Sequence, residues 1–207
     1  MNAFIWDLDG TLLDSYGIIV PSLCDAYAEL GVHAQIEAVR RFVIRRSVGA
    51  YMSTMEELTG IPRQEASARY HAISGARFLD IPLMPHAREA LDAIARAGGV
   101  NFVYTHRGKT TRPVLQNLGI EGFFAEIVTS ENGFAAKPAP DGVDYLVEKH
   151  GLDRTHTFYV GDRTLDMGCA KNARVAGVLY LPSGSACEPN GDETHTVRDL
   201  LDVAALA

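Results

Sequence analysis

Apolar residues fill the start of the chain, with Ala3, Phe4, Ile5 and Trp6 in succession and Leu8 close behind. Such a run is too short and too uniformly apolar for a surface helix, and residues 3–8 read as a strand buried on both faces. The period then changes. From about Ser15, the residues Pro21, Leu23, Ala26, Tyr27 and Leu30 recur at helical spacing, and Gly31 supplies a stop. Ile36, Val39, Val43 and Ile44 predict a second helix over 35–45, and Tyr51, Met52, Met55 and Leu58 a third over 50–59 that Gly60 closes. A fourth covers 63–79, and no strand pattern occurs between 15 and 80. Ile81-Pro82-Leu83-Met84-Pro85 is a stiff connector that cannot continue a helix. Beyond it, helices over 86–97, 109–118, 140–150 and 164–172 alternate with strands over 100–104, 125–129, 157–160 and 177–181. Regular alternation of this kind marks a parallel sheet covered on both faces. Residues 182–195 read as a polar Ser/Gly/Pro/Asn loop. The predicted architecture is an α/β core built from 1–14 and 82–207, split after its first strand by an all-α insertion over 15–81.

Composition narrows the function. The 207 residues can bury a substantial core. A net charge of −7 argues against a nucleic-acid-binding surface, while leaving room for a local basic pocket. Anionic substrates would then need a metal or a focused basic site. Cys24, Cys169 and Cys187 are odd in number and widely spaced, which does not suggest a disulfide framework. No apolar run approaches the roughly 18 residues of a membrane span. The N-terminus lacks a basic segment, and its apolar stretch meets Asp7 too early for a signal peptide. The expectation is a cytoplasmic enzyme that binds neither nucleic acid nor membrane. No apolar surface stripe demands a partner, so monomer and homodimer both stay open.

The chemistry sits at the strand ends, where open α/β sheets bind ligands. The first strand runs into Asp7-Leu8-Asp9-Gly10-Thr11, and alternate positions leaving a strand can point their carboxylates together. Two carboxylates so placed repel unless a cation or a shared proton resolves them. The second strand ends in Thr105-His106-Arg107-Gly108, where a hydroxyl and backbone N–H groups can hold an anion. After the third comes Lys137-Pro138-Ala139-Pro140, a charge on a loop stiffened by two prolines. The fourth ends in Gly161-Asp162-Arg163-Thr164-Leu165-Asp166, where Asp162 offers a further oxygen ligand for a hard cation such as Mg²⁺.

These four segments, in this order, resemble the haloacid dehalogenase-like (HAD) hydrolase superfamily, whose fold is a Rossmann-like parallel sheet. The helical insertion resembles the cap of its phosphoglycolate-phosphatase-like and β-phosphoglucomutase-like branch. The resemblance implies a Mg²⁺-dependent phosphatase acting on a small phosphorylated metabolite, phosphoglycolate-like as a first guess. It implies Asp7 as a nucleophile that forms an aspartyl-phosphate, and Asp9 as the acid and base. Mg²⁺ would lie on Asp7, Asp162 and the backbone carbonyl of Asp9. Thr105 and the N–H of His106 would bind phosphate oxygens, Lys137 would supply positive charge, and Asp166 would orient Lys137 or a metal-bound water. In capped relatives the loop corresponding to Arg45-Arg46-Ser47 faces the site and reads the leaving group, which makes these three candidate substrate contacts. An equally simple reading has the two arginines answering a helix C-terminal dipole. His106 and Arg107 side chains either touch substrate or solvate the rim, and Cys169 reads as a small buried apolar group. The dehalogenase branch implies no acid at position 9, so Asp9 disfavours it. A sugar phosphomutase of the β-phosphoglucomutase type shares the same core residues, and a pyrophosphatase is a further enzymatic reading. A non-catalytic binding protein on this fold would be expected to carry a broken site.

Overall fold

The computed structural model describes residues 1–207 and divides into two units, Met1–Asp14 with Pro82–Ala207, and Ser15–Ile81. The second unit is all helix: α1 (Tyr16–Ala28), α2 (Ile36–Arg45), α3 (Val48–Thr59) and α4 (Arg63–Gly75). The helix expected over 63–79 stops at Gly75, and a separate 3-10 turn covers Phe78–Asp80. Ile19, Leu23, Ala26, Tyr27, Val39, Val43, Tyr51, Met52 and Ala66 form the buried faces, with Tyr51 edge-on to both Tyr27 and Phe42.

In the first unit, helices α5 (Ala87–Arg96), α6 (Thr111–Asn117), α7 (Asp141–His150), α8 (Thr164–Asn172) and α9 (Leu201–Ala204) accompany six parallel strands. The strands are β1 (Ala3–Trp6), β2 (Val100–Tyr104), β3 (Phe124–Val128), β4 (Thr157–Gly161), β5 (Ala176–Tyr180) and β6 (His195–Val197), in spatial order β3-β2-β1-β4-β5-β6. This is a Rossmann-like α/β sheet. Chain progression reverses between β1 and β4. Right-handed crossovers therefore place helices on opposite faces and open a crevice at the strand carboxyl ends. On one face Ile5, Phe102, Tyr104 and Tyr159 pack with Val143 and Leu146 of α7 and Met167 and Ala170 of α8. All of β1 is buried, as its continuous apolar run requires. The one polar residue inside β2, Asn101, is satisfied: Trp6 Nε1 donates to its Oδ1 at 2.9 Å, and its amide donates to the Leu91 carbonyl at 3.3 Å.

Two expectations need correction. Residues 182–195 are not all loop, because His195 opens β6, which pairs with Val178–Tyr180. Only Val197 of that strand is buried, so its polar composition concealed it. The first strand also stops at Trp6 rather than Leu8. The chain instead wraps around the Leu8 carbonyl, which accepts from the N–H groups of Thr11, Leu12 and Leu13 at 3.1, 3.0 and 2.9 Å. Gly10 makes this possible with φ +87°, a conformation that a side chain rarely adopts. Leaving and returning segments then run together, with Asp14 N–H on the Pro82 carbonyl and Met84 N–H on the Leu12 carbonyl.

Close packing of α7 on the sheet depends on Gly142. A Cβ there would stand 2.5 Å from the Tyr104 ring. Gly142→Ala is expected to destabilise the fold by about 1–3 kcal/mol through overpacking, read as a lower urea midpoint at unaltered slope. An unmoved midpoint would show that the helix shifts without cost.

Candidate active site

Lys137 stands at the centre of the strand ends. Its ammonium has no exposed surface and donates to Asp7 Oδ1 at 2.8 Å and Asp166 Oδ1 at 2.9 Å. Nζ also lies 5.2 and 5.3 Å from the ring centroids of Tyr104 and Tyr159, a contact that favours the cation. Burial works against the charge, but Asp166 and Asp7 outweigh it and hold the lysine above its ordinary range. Asp166 responds in kind: burial opposes its charge, yet Lys137 and Arg163 keep it below the usual carboxylate value. For Asp7 burial prevails over the pull of Lys137 and Arg163 and raises the carboxyl.

Three elements converge on this lysine. Asp7 directly follows β1, Asp166 lies in the first turn of α8, and Lys137 sits on the loop between β3 and α7. Asp166 fits because Gly161 has no side chain: a Cβ there would come within 2.4 Å of the Asp166 Cβ. The lysine backbone is held separately, its N–H donating to His106 Nε2 at 2.9 Å, and the Lys137-Pro138 peptide bond is cis. A ring nitrogen that accepts from an amide must be unprotonated, so the proton of the neutral imidazole is on Nδ1. Burial, together with Lys137 and Arg163, pushes His106 down to about 4.

The oxygen atoms of Asp7, Asp162 and Asp166 lie within 4.8 Å of one another, and all three residues are buried. Thr11 Oγ1 donates to Asp162 Oδ1 at 3.1 Å. Asp7 Oδ2 is buried with no hydrogen-bond donor, and Arg163 Nη2 lies 3.8 Å from it. An all-oxygen set with one orphaned carboxylate oxygen fits a hard divalent cation such as Mg²⁺, which would relieve the burial penalty on Asp7.

Asp9 has a different environment. Its carboxylate accepts from Arg107 Nη2 at 2.6 Å and from Nε at 3.2 Å. Asp7 thus meets Lys137 and Asp9 meets Arg107. Thr105 is buried, and its Oγ1 accepts from the Arg107 N–H at 3.1 Å, which leaves its own O–H to donate to an anion. Cys169 is buried with its Sγ donating to the Ala139 carbonyl, and burial pushes the thiol up to about 12, so it remains protonated. In the helical unit, Ser47 Oγ caps α3 by accepting from the Ala50 N–H at 2.9 Å, while Arg45 and Arg46 are exposed at the end of α2.

A family model described as haloacid dehalogenase-like hydrolase matches residues 4–179. The chain belongs to this family. Phosphoglycolate phosphatase of Vibrio vulnificus is 30% identical over 98% of the chain and 95% of its own length. Pyrophosphatase PpaX of Oceanobacillus iheyensis is 24% identical over 100% of the chain and 96% of its own. Among solved structures, a haloacid dehalogenase-like family hydrolase of Streptococcus pneumoniae superposes with a TM-score of 0.83 at 22% identity, covering 99% of this chain and 97% of that one. Against this haloacid dehalogenase-like background, the sequence motifs locate the acidic residues but not Arg163 or the Thr11–Asp162 bond. The arginine lies inside the Gly161–Asp166 segment, so a charge in that segment was the available signal.

Removing the Lys137 charge would leave Asp7 and Asp166 buried without their shared cation. Lys137→Met is expected to cost about 3–5 kcal/mol in urea unfolding, and a loss under about 1 kcal/mol would show that the carboxylates do not depend on it. For His106 the sign follows from its lowered value. The unfolded ring, near 6.5, takes up a proton before the folded one does. Its contribution to stability is complete above pH 6.5 and is lost as the pH falls through about 4. Imidazole resonances should titrate near the lower value, and His106→Asn should flatten the acid limb of stability. A ring midpoint near 6.5 would contradict the assignment.

Proposed function

We propose that this hydrolase is a phosphatase of small phosphorylated metabolites, with phosphoglycolate-like esters as first substrates, working through an aspartyl-phosphate on Asp7. The observation that carries this reading is the Asp7 carboxylate itself, buried, with one oxygen held by a buried ammonium and the other without a hydrogen-bond donor. A carboxylate so fixed is oriented for attack and cannot swing to solvent. Phosphatase names among the relatives support the same chemistry.

In this reading an Asp7 oxygen bonds to phosphorus while the bond from phosphorus to the leaving oxygen breaks. Asp9 gives that oxygen its proton, and the dephosphorylated product leaves. A water then attacks the phosphorus of the aspartyl-phosphate, Asp9 takes its proton, and Asp7 is regenerated with release of inorganic phosphate. Lys137 offsets the repulsion between Asp7 and a phosphate dianion. The Thr105 hydroxyl and the His106 N–H, which has no acceptor within the protein, donate to phosphate oxygens. Asp7, Asp162 and the Asp9 carbonyl would hold Mg²⁺, with Asp166 orienting Lys137. When bound, the ion supplies charge neutralisation for the transferring group. Residues 15–81 serve in this proposal as a cap domain, with Arg45, Arg46 and Ser47 contacting substrate. Three unpaired cysteines and the lack of any helix long and apolar enough to cross a membrane support action in the cytoplasm.

The test is Mg²⁺-dependent phosphate release from a panel of phosphoglycolate, hexose phosphates, nucleotides and pyrophosphate. Asp7→Asn is expected to lower turnover at least about 1,000-fold, and Arg45→Ala and Arg46→Ala to raise KM more than they lower kcat. Full activity in Asp7→Asn would end the aspartyl-phosphate reading. Release from no ester at all would end the phosphatase one.

A further inference from the structure

Asp9, the acid and base of the proposed reaction, is already engaged in this structure. Arg107 lays its guanidinium along the carboxylate, with Nη2 at 2.6 Å from Oδ1 and Nε at 3.2 Å from both oxygens. Nη1 donates to Thr110 Oγ1 at 3.1 Å. The backbone beneath is anchored, since the Arg107 N–H donates to Thr105 Oγ1 while its carbonyl accepts from Thr111 Oγ1 and the Ser130 N–H. The side-chain pair keeps some exposure, 10% for Arg107 and 22% for Asp9. By contrast Lys137 has none and is committed to two carboxylates. Arg163 keeps 13% exposure but faces Asp7 and Asp166, so Arg107 is the accessible cation that pairs with Asp9.

An ionised carboxylate clamped by a guanidinium is acceptor-only and carries no proton to give a leaving group. The fork must therefore move before Asp9 can act. Drawing an arginine off a largely enclosed carboxylate leaves a charge unpaired unless another anion takes its place. The planar fork suits that exchange, because it matches carboxylate and phosphate equally well in two-point contact. We infer that Arg107 is a specificity-determining residue that reads a second anionic group on the substrate's leaving portion, trading Asp9 for it. The inference rests on the phosphatase reading and names the residue that selects among its substrates. An ester without a second anion leaves the fork on Asp9 and reacts slowly. One with a second anion binds and releases Asp9 in the same event.

The experiment compares kcat/KM for phosphoglycolate, pyrophosphate and ethyl phosphate, in which a methyl replaces the carboxylate, using the full chain with Mg²⁺. Wild type is expected to favour phosphoglycolate, pyrophosphate or both over ethyl phosphate by roughly 30-fold or more, the scale of a lost charged contact. Preference for one of the two identifies the second anion. Arg107→Met should bring the ratio to within about threefold, slowing the doubly anionic substrates while ethyl phosphate gains. Arg107→Lys, which keeps the charge without the fork, should give an intermediate ratio and serves as the test if the Met variant does not fold. Equal slowing of all three substrates in either variant would overturn the inference and leave Arg107 a structural partner of Asp9. Wild type acting on all three equally would overturn it too, with the phosphatase reading intact. Activity on none of the three would overturn the inference, and release from the wider ester panel then decides the phosphatase reading separately.

Discussion

An ammonium with no exposed surface costs several kcal/mol to bury, and Lys137 is held there by two carboxylates from different parts of the fold. Satisfying it constrains everything nearby. β1 must end where it delivers Asp7, and α8 must begin close enough to β4 to deliver Asp166. That second requirement excludes any side chain at Gly161, where a Cβ would overlap Asp166. The Lys137 backbone is fixed in turn by His106, whose Nε2 can accept only while the ring is neutral. Tyr159 closes the lower side, its hydroxyl donating to the Tyr104 carbonyl beneath the two rings that face Nζ. A buried ion pair is weak evidence for stability in itself. Here it specifies one arrangement of the loops after four strands, and that arrangement is what a phosphoryl-transfer site requires.

Asp7 and Asp9 are two residues apart and differ in burial and in the cation each meets. Asp7 is buried beside a cation with no exposed surface, whereas Asp9 is partly exposed beside one that keeps some. Gly10 at φ +87° lets the backbone coil around the Leu8 carbonyl directly after Asp9. A nucleophile benefits from fixed orientation, and an acid and base must exchange protons with groups that come and go. Such a division of roles suits the proposed mechanism better than a symmetric pair would, since two facing carboxylates would share one proton.

Much of this was legible in the chain. Strands buried on both faces are continuous apolar runs, and the glycines that stop the helices are conspicuous, so the order of elements followed from period alone. Parallel topology then gathers the residues after β1, β2, β3 and β4 at one end of the sheet, which made Asp7, Thr105, Lys137 and Asp162 readable as neighbours. The edge strand His195–Val197 was not readable, because a short strand with one buried residue carries no apolar signal. Nor were the partners of the arginines. Position in a motif fixes where a Cα lies, but a long side chain chooses among acceptors several ångströms apart. Arg107 reaches back to Asp9 across 98 residues of sequence, and Arg163 turns toward Asp7. His106 is a similar case: an imidazole accepting from a distant amide leaves no trace in spacing.

Charge balance at the strand ends ties these details to the acidity of the whole chain. A protein of net charge −7 concentrates Lys137, Arg107 and Arg163 at one site, facing Asp7, Asp9, Asp162 and Asp166. With every group ionised, the carboxylates exceed the cations by one, and such a site repels a phosphate dianion. Burial raises the Asp7 carboxyl despite Lys137, and Oδ2 has no donor. A divalent cation on the buried oxygens would reverse the sign, and a dianionic group would then be attracted where it had been repelled.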